Sequence, residues 1–142
     1  MRYCLATLAC LLAGTLQAAP QATPGQWEMT SKVSMSGMKM AIPPNTVKFC
    51  IKPNEVKDLT KQAMGGPQGA PSKDCKMLEN SVSGATVKFR MRCEGPHQSD
   101  IAGEVSYAGN SYKGKTVIDT TAGPQGKMRM TNEFSAKRIG DC

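Results

Sequence analysis

Apolar and polar residues alternate with a period of two along most of the chain from residue 25 onward. In GQWEMTSKVSM, Trp27, Met29, Val33 and Met35 share one parity, while Glu28, Thr30 and Lys32 take the other. Successive side chains of an extended strand point to opposite sides, so this spacing describes a strand with one buried and one wet face. Val47, Phe49 and Ile51 repeat it around Lys48. The plainest case is ATVKFRMRC, where Val87, Phe89, Met91 and Cys93 alternate with Lys88, Arg90 and Arg92. Further strands are predicted at SDIAGEVSYA, with Ile101, Val105 and Tyr107 on one parity, at SYKGKTVIDTT, and at GKMRMTNEF, where Met128, Met130 and Phe134 alternate with polar residues. Turn signals at Ser83-Gly84, Gly109-Asn110 and Gly123 to Gly126 separate them. Short strands at this spacing predict an all-β chain: an antiparallel meander of about seven strands forming a half-barrel or open barrel.

One segment departs from the alternation. In KPNEVKDLTKQAM, Asn54 is a helix-capping residue, Glu55 and Asp58 stand early and Lys61 late, as the helix dipole prefers. Val56, Leu59, Ala63 and Met64 give it a modest apolar face. The pattern predicts one short helix from Asn54 to about Met64, placed over one end of the curved sheet, followed by the loop GGPQGAPS.

The first residues change the reading of compartment. MRYCLATLACLLAGTLQAA carries one cation at Arg2, an apolar run too short to span a bilayer, and small residues before Pro20. This is the pattern of a secretory signal peptide over residues 1–18, with cleavage after Ala18 and a single β-rich exported domain over residues 19–142. Leu8-Ala9-Cys10 faintly resembles a lipidation site, but it leaves too few residues ahead of it for a leader. No later run is apolar for long enough to form a transmembrane segment. The expected localisation is periplasmic or secreted.

Export makes cysteine arithmetic informative. Beyond Cys4 and Cys10 stand Cys50, Cys75, Cys93 and Cys142, and four cysteines in a small exported domain read as two disulfides. None is spaced C-x-x-C, which argues against a redox motif or zinc knuckle. Cys75 and Cys93 lie symmetrically about Gly84, so a hairpin turning there sets them opposite one another. If the first strand lies near the last, Cys50 falls at the same end of the sheet as Cys142. The expected pairs are Cys75 with Cys93 and Cys50 with Cys142.

Several short stretches together resemble a known family: PGQWEMT at Pro24 to Thr30, MSGMKMAIPP, FCI at Phe49 to Ile51, DCK at Asp74 to Lys76, CEG at Cys93 to Gly95, and the terminal KRIGDC. They resemble the exported bacterial domain-of-unknown-function family 3617 over essentially the whole chain after the leader. The resemblance implies a small periplasmic or secreted protein, and it implies no activity, substrate or catalytic residue.

Function therefore rests on chemistry. The formal net charge is +7, of which Arg2 carries one, and outside the cytoplasm such a balance points to anionic envelope surfaces rather than nucleic acid. Lys88, Arg90 and Arg92, with Lys113 and Lys115, are candidates for steering toward such a surface. Enzymatic machinery is not indicated: the single histidine, His97, sits in the turn EGPHQS, no G-x-S-x-G is present, and Glu28, Glu55, Asp58, Asp100, Glu104, Asp119 and Glu133 are scattered. No catalytic residue and no cofactor is expected. The leading expectation is a binding protein for a hydrophobic or lipid-like ligand, held by Met38, Met40, Phe89, Met91, Tyr107, Met128 and Met130, since methionine repacks around guests of different shape. The alternative is Cu(I) or Ag(I) capture by Met35, Met38 and Met40, which form M-x-x-M-x-M beside the flexible Gly37. Met35 also continues the apolar parity of its strand, which leaves Met38 and Met40 as the pair that alternation does not explain.

Overall fold

Seven antiparallel strands form one sheet in a computed structural model that describes residues 22–37, 42–56, 73–94, 98–121 and 126–142. They are β1 (Gly25–Met35), β2 (Asn45–Ile51), β3 (Cys75–Ser83), β4 (Thr86–Cys93), β5 (Gln98–Tyr107), β6 (Ser111–Thr121) and β7 (Lys127–Gly140). Their order across the sheet is β2-β1-β7-β6-β5-β4-β3. Consecutive strands from β3 to β7 run as a meander, and β1 closes back against β7 while also pairing with β2. The sheet is not closed into a barrel: β2 and β3 remain its edges. Residues 1–18, the expected leader, lie outside the described residues.

Each expected strand is present because its parity is uninterrupted. Directly opposed residues share a face, and the register therefore collects every apolar parity set onto one side. Two turns need glycine. Gly84 opens the two-residue β3–β4 turn with φ 54°, and Gly109 has φ 65° between β5 and β6, both in the left-handed region that side chains avoid.

The described part of the expected helix is a turn. The N–H of Glu55 donates to the carbonyl of Lys52 at 2.9 Å, and the Glu55 carboxylate accepts from the N–H of Lys52 at 2.8 Å. These two bonds tie Lys52 to Glu55 across the turn at Pro53–Val56. Residues 57–64 lie outside the described residues, among which there is no helix.

One end of the apolar face is aromatic. Tyr112 stands between Trp27, Tyr107 and Phe134, with ring centroids 5.3, 5.5 and 6.2 Å away, within the range of favourable offset or edge contacts. Both Tyr112 and Trp27 satisfy their polar ends: the Tyr112 hydroxyl donates to Met29 Sδ at 3.7 Å, and Trp27 Nε1–H donates to the Thr23 carbonyl at 3.0 Å. Ala22, before β1, and Val56, after β2, join the same buried cluster.

Two glycines let that core form. Gly103 faces Phe89 and Gly114 faces Phe134 in register, so each phenyl ring lies where the neighbouring strand has no side chain. A Cβ on Gly103 would overlap the Phe89 ring. Phe89 is 1 % exposed as a result.

Disulfides pin both edges of the sheet. Cys75 and Cys93 are directly opposed on β3 and β4 and are bonded. Cys50 is opposed to Gln26, which is opposed to Gly140, so Cys142 reaches back across β1 to bond Cys50 over a separation of 92 residues. Each bridge contributes roughly 2–4 kcal/mol by restricting the unfolded chain.

Gly103→Ala is expected to cost about 1–3 kcal/mol through overpacking against Phe89. The Gly103→Ala, Phe89→Leu double variant should lose less than the two single losses added together, because both changes act on one contact. Urea unfolding of the four proteins measures this; strictly additive losses would show that the ring does not occupy the glycine's space.

Candidate functional site

Away from the aromatic end, the same face changes character. Met35 is opposed to Met130, Met130 to Ile118, Ile118 to Ile101, Ile101 to Met91, and Met91 to Met77. These pairings make one row of four methionines and two isoleucines that crosses β1, β7, β6, β5, β4 and β3 without a polar interruption. Burial varies along it: Met91 is 4 % exposed, Met35, Met130, Ile118 and Ile101 are half-buried, and Met77 at the edge is 43 % exposed. Met128, two residues beyond Met130 on the same face, is 36 % exposed. The surface is thus apolar, partly open and built mainly of unbranched thioethers, which adapt their shape at little cost.

The expected ligand residues divide between the two ends. Met91 and Met130 belong to the row, and Met128 lies just past it. Tyr107 belongs to the closed aromatic end, and Phe89 lies in the row of Gly103, Thr116 and Asn132 between that end and the methionine row. Met38, Met40 and His97 lie outside the described residues. Of the methionines expected to hold a metal, Met35 alone is described, and its cross-strand neighbour is Met130. Ile101 was visible as a strand residue of the right parity, whereas Ile118 was obscured by Val117 beside it, which takes the other face. Among the described residues, no group of three or more His, Cys, Asp or Glu side chains is placed to hold a metal ion.

The opposite face is charged and largely self-neutralised. Lys32, Glu133, Lys115, Glu104 and Lys88 are opposed in turn across five strands, alternating in sign. Lys115 pairs with Glu133 at 3.2 Å and Lys88 with Glu104 at 3.3 Å. Further along, Asp100 and Asp119 stand opposite each other, each held by its own arginine, Arg92 at 2.8 Å and Arg129 at 2.7 Å. Hydrogen bonds from these guanidinium groups lower both carboxyl pKa values and offset the close approach of like charges. Of the five cations expected to steer the protein, Lys88, Arg92 and Lys115 are therefore paired with cross-strand carboxylates. Arg90 and Lys113 make no ion pair with the described residues, and both line an open groove of about 810 Å³ on this face. Exposed pairs of this kind contribute little to stability, but they cancel local field.

Residues 22–142 match the family described as Protein of unknown function (DUF3617). No curated protein and no solved structure matches the chain.

Burial raises the pKa of both core tyrosines, Tyr112 to about 12 and Tyr107 in the same direction. The sign of the consequence is fixed by linkage. An unfolded tyrosine ionises near pH 10, so above about pH 10 the unfolded chain releases protons that the folded chain retains. The stabilising contribution is complete below about pH 10 and is lost as pH rises through about 12. Apart from Tyr3, in the stretch expected to be a leader, Tyr107 and Tyr112 are the tyrosines of the chain. Absorbance at 295 nm of protein spanning residues 19–142 should show no phenol ionising at the ordinary value before unfolding, while the urea-unfolded protein titrates near pH 10. A folded-state transition near pH 10 would contradict the buried placement.

Proposed function

Because the chain belongs to the DUF3617 family, which brings no activity with it, we propose from the geometry that it is an exported, non-enzymatic binding protein for a hydrophobic or lipid-like ligand. The observation that carries this reading is the Met35-Met130-Ile118-Ile101-Met91-Met77 row. A row that served only as core would be expected to close; this one grades from buried Met91 to open Met77, with Met128 exposed alongside. The aromatic end supplies a rigid floor, and the methionine end supplies the adaptable surface that a guest would meet. Export accords with two disulfides and with the pattern of the leader. The absence of machinery in the sequence, and the engagement of Glu28, Asp100, Glu104, Asp119 and Glu133 by cations, favour binding over catalysis.

Met38, Met40 and residues 57–64 lie outside the described residues and carry no part of this reading. A second reading has one specific observation behind it. Met35 and Met130 are directly opposed, which brings two thioethers together where soft Cu(I) or Ag(I) would be bound, with Met38 and Met40 close in sequence.

The fluorescence of N-phenyl-1-naphthylamine, which rises in apolar surroundings, tests the first reading. Protein spanning residues 19–142 should enhance it saturably, and Met130→Lys should weaken binding by at least about tenfold while leaving the circular dichroism unchanged, since a charge in an apolar site costs more than 1.4 kcal/mol. No enhancement, or enhancement indifferent to the substitution, removes the apolar site from this row. Cu(I) titrated against bicinchoninate tests the second. Retention by the natural chain and release by a Met35→Leu, Met130→Leu variant is the expected result, and equal occupancy in both proteins sinks it.

A further inference from the structure

A polar side chain with an unserved oxygen stands on the apolar face where its two ends meet. Asn132 lies on β7 between Met130 and Phe134 on the same parity, opposed to Val33 on β1 and Thr116 on β6. Its Oδ1 is shut off from solvent and has no hydrogen-bond partner. Thr116, the nearest polar residue in register, leaves it unserved. A buried acceptor without a donor costs about 1–3 kcal/mol and is rare in folded proteins. Replacing this asparagine by leucine would remove that cost, so the side chain is not explained by packing alone.

We propose that Asn132 is the polar anchor of the ligand site, and that the ligand is a neutral amphiphile: an apolar chain carrying a hydrogen-bond donor such as a hydroxyl. This rests on the apolar-ligand reading above and adds the class of head group. The row of methionines and isoleucines provides for the chain, and the Asn132 oxygen one position further along β7's inner face accepts from the head. Half-buried Met130 and Met35 are the side chains that shift to admit it.

Charge narrows the class. Arg138, at the far aromatic end and bonded to the Pro24 carbonyl and to Asp141, is the only charged side chain with this face's parity among the described strand residues. An ammonium head would sit beside Asn132 with no anion to compensate it, and an ionised carboxylate would be buried there with no cation beside it. A neutral hydroxyl meets neither penalty.

The test is displacement of bound N-phenyl-1-naphthylamine by 1-decanol, by its methyl ether and by decanoate at pH 8. The natural chain should prefer 1-decanol about tenfold over each of the others, the size expected for one buried hydrogen bond. Asn132→Leu should level the alcohol with the ether, each displacement being read against that variant's own affinity for the probe. Equal displacement by alcohol and ether, or a preference that survives in Asn132→Leu, overturns the anchor and assigns the Asn132 oxygen to internal water while leaving the apolar site standing. A chain that never binds the probe overturns the apolar reading and the anchor together. Should Asn132→Leu fail to fold, the side-chain amide resonance of Asn132 in the natural chain decides: a shift with 1-decanol that the ether does not produce supports the anchor, and identical spectra overturn it.

Discussion

Register is the constraint on which the rest of this structure depends. Side chains alternate with a strict period of two, so a slip of one residue in any strand pairing would send Met91 or Val105 into solvent and bring Arg90 or Glu104 into the core. Burying one unpaired charge costs several kcal/mol, comparable to the whole stability of a small domain. The sheet's two chemistries, apolar on one side and sign-alternating on the other, are consequently one fact. The Lys115–Glu133 and Lys88–Glu104 pairs form in the same register that aligns Ile118 with Met130 and Met91 with Ile101.

An open sheet must hold its register at its edges, where each strand has a partner on one side only. The two disulfides act there. Cys75–Cys93 fixes β3 to β4 at a directly opposed pair, beside the irregularity between Met77 and Glu79. Cys50–Cys142 fixes β2 through the end of the chain, spanning β1, so that the long-range β1–β7 pairing is tied to an edge. Such pairing is costly in chain entropy, and a covalent loop lowers that cost in the unfolded state. The irregularity in β3 also discourages pairing with a further strand at that edge.

Much of this was legible in the chain. ATVKFRMRC and GQWEMTSKVSM could only be half-buried strands, and the symmetry of Cys75 and Cys93 about Gly84 anticipated a pair that stands directly opposed. Placement of Cys50 near Cys142 followed once the first strand was taken to lie near the last, as β1 lies beside β7. What could not be read was any property that belongs to two strands at once. Lys88, Arg92 and Lys115 look like free cations in one dimension, because their carboxylates arrive from neighbouring strands. Met77 and Met35, far apart in sequence, become ends of one row only when six strands are in register. Asn132 looks like an ordinary polar residue of TNEF until parity assigns it to the apolar face. At Pro53–Val56 the Glu55 carboxylate accepts from the Lys52 N–H three residues back, a bond that the capping pattern read at Asn54 did not anticipate.

The division of the apolar face into two halves follows from the side chains that the strands carry. Aromatic rings have few rotatable bonds and specific mutual geometry, so Trp27, Tyr107, Tyr112 and Phe134 make an end that is closed and stiff. Gly103 and Gly114 intensify this by letting Phe89 and Phe134 settle against the sheet itself. Methionine has neither ring nor branch and tolerates several packings of similar energy. A chain needing only a stable core would gain by replacing Met35, Met91 and Met130 with leucine or isoleucine, whose preferred rotamers specify one packing. Retaining thioethers on one half while the other is locked by rings gives a sheet whose register is protected and whose shape can still vary. Those are the two properties that the proposed binding of an apolar guest requires.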